Sequence, residues 1–191
     1  MSRGRMEAFS DGVIAIIITI MVLELRVPHD VSWRSLIPLA PVFLSYVLSF
    51  VFVGIYWSNH HHLLQVVERV NGGVLWANLH LLFWLSLTPF VTAWMGENKF
   101  AAVPVSLYGV VLLGAAIAYF ILARSLLAIH SPASLLATAL GADFKGKISM
   151  VIYLLAIPLA FVRSWLACSL YILVAVMWLV PDRRIEKTIA Q

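Results

Sequence analysis

Residues 100–123 read FAAVPVSLYGVVLLGAAIAYFILA, 24 successive residues without a charge. At 1.5 Å per residue such a run makes a helix of about 36 Å, enough to cross roughly 30 Å of hydrocarbon. Working outward, the other long intervals between charges are Ser35–Val67 and Val70–Gly96 before it, and Ile148–Val162 and Ser164–Pro181 after it. Only 12% of the 191 residues are charged, while 62% are of hydrophobic type and the mean hydropathy is +0.96. A soluble domain carries about a quarter charged residues. The chain therefore reads as an integral membrane protein, and because lipid offers the backbone no hydrogen-bond partners, as an all-α one.

The first segment differs from the rest. Asp11 and Glu24 leave only Gly12–Leu23 free of charge, about 18 Å of helix. To cross, the helix must run from about Arg5 to Val27 and take Glu7, Asp11 and Glu24 to or inside the membrane boundary. Intramembrane carboxylates are costly in lipid and face a bundle interior or a water-filled path. A signal peptide is the other reading of this segment, but its exit, Glu24-Leu25-Arg26-Val27-Pro28, has no small-residue cleavage pattern. The expected organisation is one transmembrane domain, residues 1–191, with spans near 5–27, 36–58, 73–95, 102–124, 147–163 and 165–181. Six spans put both termini on one side. Arg3, Arg5, Arg69, Arg124, Lys145, Lys147, Arg183, Arg184 and Lys187 then face Arg26, Arg34, Lys99 and Arg163, which predicts cytoplasmic termini. Ser125–Ala142 is uncharged too. With His130 and Pro132 it reads as a continuation of span four followed by an interfacial helix rather than a seventh span. The net charge of +4 comes from scattered single or paired basic residues, so no nucleic-acid partner is expected. The single cysteine, Cys168, excludes an intrachain disulfide.

Within the first span Ile16, Thr19, Ile20 and Leu23 are spaced i, i+3, i+4, i+7 and share one helical face, which Ala15 and Asp11 extend toward the N-terminus. A stripe of aliphatics and a hydroxyl suits a narrow pore. It equally suits a packing face on which Thr19 bonds to a carbonyl one turn back. Ser10 and Asp11 need polar partners from other helices, and Trp57, Asn59, His60, His61 and His62 on the second span and Asn78 and His80 on the third are available. Three consecutive histidines point about 100° apart on a helix and do not converge on a metal ion. No nucleophile elbow, His-Glu-x-x-His pair, Walker loop or potassium-filter sequence is present, so an enzyme is not expected, and a channel would need side chains for its filter.

The string Arg5-x-x-x-Phe9-Ser10-Asp11 at the head of the first of six spans resembles the signature of the transmembrane protein 175 family of potassium channels, in particular its single-repeat prokaryotic members. Trp57-Ser-Asn-His-His-His-Leu63 and Asn78-Leu-His-Leu-Leu-Phe-Trp-Leu-Ser-Leu-Thr-Pro89-Phe90 resemble its second and third helices. The resemblance implies a six-transmembrane-helix bundle with a pore formed by helix one of each subunit. It also implies a homotetramer, since eukaryotic relatives join two repeats and dimerise. The family's hydrophobic ring, five residues after the motif's Asp, falls on Ile16, with Thr19, Ile20 and Leu23 as further rings and Glu24 at the pore mouth. Arg5, Phe9, Ser10, Asp11, Trp57, His61 and Asn78 become the motif and its helix-packing network. The implied protein is a potassium-selective channel of a prokaryotic plasma membrane. Its partners are itself, the bilayer and the permeant potassium ion, with no cofactor and no bound metal. The alternative is a proton-coupled or other secondary transporter using Asp11, Glu24 and the histidines as relay groups. A non-transporting assembly subunit is a third reading. His60, His62 and His80 are left without a role.

Overall fold

The computed structural model describes residues 2–131, 134–140 and 143–179. The described part is helical: α1 (Arg3–Leu23), a 3-10 helix (Trp33–Leu39), α2 (Ala40–Gln65), α3 (Gly72–Ser86), α4 (Thr88–Glu97), α5 (Ala102–Leu127), α6 (Leu135–Leu140), α7 (Phe144–Val162) and α8 (Ser164–Leu179). Five helical stretches are long and apolar enough to cross a membrane, α3 and α4 counting as one, and α8 is a shorter apolar helix. The basic residues Arg183, Arg184 and Lys187, used above for orientation, lie outside the described residues, as do Pro132 and the end of the span expected at 165–181.

The helix bounds differ from the expected spans in two informative places. α1 stops at Leu23, and Glu24 turns the chain out, its amide bonding to Val22 O. The crossing length comes from the other end, because a helix beginning at Arg3 has 21 residues and measures about 31 Å. Glu7 and Asp11 thereby lie within the helix. The stretch expected as one span at 73–95 is interrupted between Ser86 and Thr88, and α4 begins with Pro89 in its first turn. Proline has no N–H to donate and its ring crowds the carbonyl four residues back, so the helix breaks there.

α5 is the central helix, packed chiefly on α3 and α7, while α8 lies on α7 and α1 covers parts of α2, α3 and α4. Two buried clusters meet across α5. One joins Ile14, Ile17, Met21, Val53, Leu81, Ala118 and Leu122; the other joins Phe52, Val91, Met95, Tyr108, Tyr153 and Tyr171. Lipid is as apolar as these side chains, so close van der Waals fit and buried hydrogen bonds hold such helices together. Small residues mark the closest approaches. Gly114 of α5 receives the Trp84 indole, and Gly96 of α4 lies on the α2 backbone. Hydroxyls supply the bonds: Ser49 Oγ is 2.6 Å from Thr92 Oγ1 and 3.0 Å from the Tyr108 hydroxyl, and the Tyr171 hydroxyl donates to Val105 O at 3.1 Å.

A Cβ added to Gly96 would stand 2.7 Å from Val42 Cα, a backbone atom unable to rotate away. Gly96→Ala is therefore expected to push α4 off α2 and destabilise the protein by about 1–3 kcal/mol, the usual cost of overpacking. Thermal unfolding in detergent checks this, and an unchanged midpoint refutes the close-packing account.

At the end of the bundle holding the N-terminus, Arg3 donates to Gln65 O (3.3 Å) and Val67 O (3.1 Å), satisfying carbonyls at the C-terminus of α2. His130 Nε2 accepts the Glu68 amide at 3.1 Å while Nδ1 donates to Leu126 O at 2.8 Å, tying the α2–α3 turn to the end of α5. At the opposite end Arg26 pairs with Glu97 at 2.8 Å across two exposed side chains.

Candidate functional site

α1 has two apolar faces, and the fold covers one of them. Met6, Ser10, Ile14, Ile17 and Met21, spaced by three or four residues, are buried against the bundle. On the other side Phe9, Gly12, Ala15, Ile16, Thr19, Ile20 and Leu23 are exposed, Ile16 at 58% and Leu23 at 79%. Ile16, Thr19, Ile20 and Leu23 thus run along the uncovered face, with exposed Glu24 following at the helix end. Within one chain the stripe is not a packing face. The Thr19 hydroxyl donates to Ile16 O at 2.8 Å, one turn back. With apolar residues on both faces, hydropathy alone gives no sign of which side the fold covers.

The head of α1 is tied to α2 and α3 by polar contacts. The indole of Trp57 donates to Asp11 Oδ1 at 3.0 Å. One turn earlier Glu7 Oε1 lies 3.2 Å from His61 Nδ1, whose ring stacks on Trp57 and whose Nε2 is 2.9 Å from Gln65 Nε2. Beneath them a buried chain of bonds crosses three helices. Ser10 Oγ donates to Met6 O at 2.8 Å and accepts from Asn78 Nδ2 at 2.9 Å, while Asn78 Oδ1 lies 2.8 Å from His60 Nε2. Because Asn78 uses its amide on Ser10, its oxygen is the acceptor for His60, so His60 carries its proton on Nε2. Its buried Nδ1 has no partner among the described residues.

The structure therefore brings Ser10, Asp11, Trp57, His61 and Asn78 together, while Arg5 and Phe9 stay exposed on α1. Sequence reasoning left His60 without a role, although it is the histidine that enters the core. A signal for it was present: Ser45, Ser49, Phe52, Val53, His60, Leu63 and Leu64 form the buried stripe of α2, and only His60 of the three histidines is on that phase. His62 is exposed, its ring tilted against that of His61 at 5.9 Å between centroids. His80 accepts a hydrogen bond from Trp84 Nε1 at 3.0 Å. Among the described residues no group of three or more His, Cys, Asp or Glu is placed to hold a metal ion.

Comparison with known proteins gives one consistent likeness. A family model described as "Endosomal/lysosomal potassium channel TMEM175" matches residues 5–89. A protein named as a potassium channel from Chryseobacterium sp. (strain P1-3) is 54% identical over 191 residues, covering 100% of both chains. The human "Endosomal/lysosomal proton channel TMEM175" is 37% identical over 83 residues, which are 37% of this chain and 16% of that protein. Among solved structures, the crystal structure of a lysosomal potassium-selective channel TMEM175 homologue from Chamaesiphon minutus superposes with a TM-score of 0.79 at 30% identity. It covers 93% of this chain and 96% of that one.

Proposed function

Because this chain belongs to the TMEM175 family, and is a multi-pass membrane protein, we propose that it is a potassium-selective cation channel in a bacterial cell membrane, with α1 of each subunit lining the pore. The observation that carries this reading is the uncovered stripe on α1. Ile16, Thr19, Ile20 and Leu23 are exposed although the head of their helix is tied to α2 and α3 by polar contacts. A second copy has to cover an apolar face if it is not to meet lipid alone, and a homotetramer turns four such faces toward one axis. Potassium then passes as a partly dehydrated ion through successive side-chain rings, which conduct or close by how far the aliphatic groups spread and wet. Four copies of Glu24 at the end of α1 raise the local cation concentration.

The Ser10, Asp11, Trp57 and Asn78 contacts give α1 a fixed rotation about its axis, which is what a narrow ring of four isoleucines requires. Arg5, Phe9 and Trp57 are exposed beside that network and are suited to meet the next subunit. Asp11→Ala removes the carboxylate that accepts from Trp57, a charge-assisted bond worth about 1.5–3 kcal/mol. It is expected to lower the tetramer fraction or the thermal midpoint, measured by light scattering and unfolding in detergent. A normal tetramer with normal current would refute the role.

The decisive measurement is potassium flux into liposomes under an imposed membrane potential, together with the oligomer mass. The channel reading expects flux that rises without saturation. A carrier using Asp11, Glu24 and the histidines gives saturable flux, and an assembly subunit none. A monomer overturns the shared pore.

A further inference from the structure

Away from α1, a cleft opens between α2, α5 and α7, with Trp178 of α8 as one wall, in the half of the bundle that holds the N-terminus. It is open at its mouth and has a cavity volume of about 40 Å³. Aromatic residues make half of its lining, among them Tyr56, Tyr119, Phe120, Tyr153 and Trp178. Asp143 is the single charged residue among those lining it.

Three observations define what such a wall recognises. First, its rings already attract cations from outside: the Arg124 guanidinium sits 5.1 Å from the Phe120 centroid and the Lys145 ammonium 5.9 Å from that of Trp178. Second, Tyr56 and Tyr153 both line the cleft, and neither hydroxyl is a buried orphan, so both are open to what enters it. Third, Asp143 is held in place as the N-cap of α7, its Oδ1 accepting from the Gly146 amide at 3.2 Å. Burial raises its carboxyl above the ordinary aspartate value, with the Gly146 amide, Lys147 and Arg124 opposing that shift. A cation brought into the cleft would restore the favourable surroundings that burial takes from the carboxylate.

An aromatic box with one carboxylate matches a soft, weakly hydrated organic cation, for which the quadrupoles of several rings act together. An anion would meet Asp143, and a neutral hydrocarbon would leave the carboxylate and both phenols unanswered. We propose that this cleft binds an organic ammonium ion about one aromatic ring in size, its cationic head between Asp143 and the tyrosines and its apolar body against Phe52 and Ile55. The site is separate from α1 and does not depend on the channel reading.

The probe is benzyltrimethylammonium, with neopentylbenzene as its uncharged isostere, measured by equilibrium dialysis against the full chain in detergent at constant potassium concentration. Asp143→Asn is suited to the test because asparagine also caps helices and tolerates the left-handed backbone found here, φ 43°. The substitution therefore removes charge and leaves the fold. Saturable binding of the cation is expected, weakened about tenfold or more in Asp143→Asn at an unchanged thermal midpoint. Ala116→Phe, which fills the cleft without touching the carboxylate, is expected to abolish it, and Ile16→Ala, at an exposed position outside the cleft lining, to leave it unchanged. Absence of saturable binding up to about 10 mM, equal binding of the isostere, or indifference to Asp143→Asn would each overturn the proposal. Loss of binding in Ile16→Ala would move the ligand to the pore and overturn it as well.

Discussion

Ile16→Asn is expected to increase cation leak and to reduce the preference for potassium over sodium by about tenfold or more, a change of about 1.4 kcal/mol between the two ions. The reason is the chemistry of the ring. In the proposed tetramer four isoleucine side chains would offer an ion nothing in exchange for its hydration shell, so passage would favour the ion that sheds water more readily. Four asparagine amides supply oxygen and nitrogen dipoles at the same level and let water stay with the ion, removing the penalty that separates potassium from sodium. Ile16 is 58% exposed in the single chain, so the substitution leaves both buried clusters intact and tests conduction separately from folding. Reversal potentials in mixed potassium and sodium gradients across liposomes give the result. Unchanged selectivity would sink the assignment of Ile16 as the constriction.

Asn78→Leu is expected to destabilise the bundle by uncoupling two helices at once. Asn78 is 2% exposed and its two polar atoms serve two helices, α1 through Ser10 and α2 through His60. Leucine fills a similar volume but leaves the His60 Nε2 proton unmatched, in a ring whose Nδ1 already lacks a partner. An unmatched buried group costs about 1–3 kcal/mol, and measured interhelical bonds in membrane bundles lie toward the low end of such figures, so a loss of about 1–3 kcal/mol is expected in all. The check is thermal or denaturant unfolding in detergent. The double change His60→Phe with Asn78→Leu removes the orphaned ring as well and should recover a good part of the loss. If the single variant unfolds like the parent, the buried chain of bonds does not hold these helices.

How much of this was legible in the sequence depends on whether a feature is local in the chain. The absence of charge over residues 100–123 is local, and it sufficed for a helical membrane protein. The shared face of Ile16, Thr19, Ile20 and Leu23 is also local, following from helix geometry alone. Which of the two apolar faces of α1 is covered depends on α2, α3 and α4, and nothing within residues 3–23 encodes it. The break ahead of Pro89 could have been read, since proline inside a helix forfeits a hydrogen bond, but an uncharged run of 27 residues masks it. His60 was hidden by two histidine neighbours of identical chemistry and separated from them only by phase. The cleft at Asp143 needs residues from four helices, drawn from positions 52 to 178, and no reading along the chain assembles those.

The bond from Thr19 to Ile16 O has a consequence for the sign of what passes the proposed ring. A free threonine hydroxyl is ambivalent, able to turn its hydrogen toward an anion or its lone pairs toward a cation. In this helix the hydrogen is committed to the backbone at 2.8 Å, so the oxygen can present only electron pairs to the lumen. In the proposed tetramer four such oxygens would form a collar of acceptors between two aliphatic tiers. At that height chloride finds no donor to greet it, while a cation that has lost water finds oxygen to replace it.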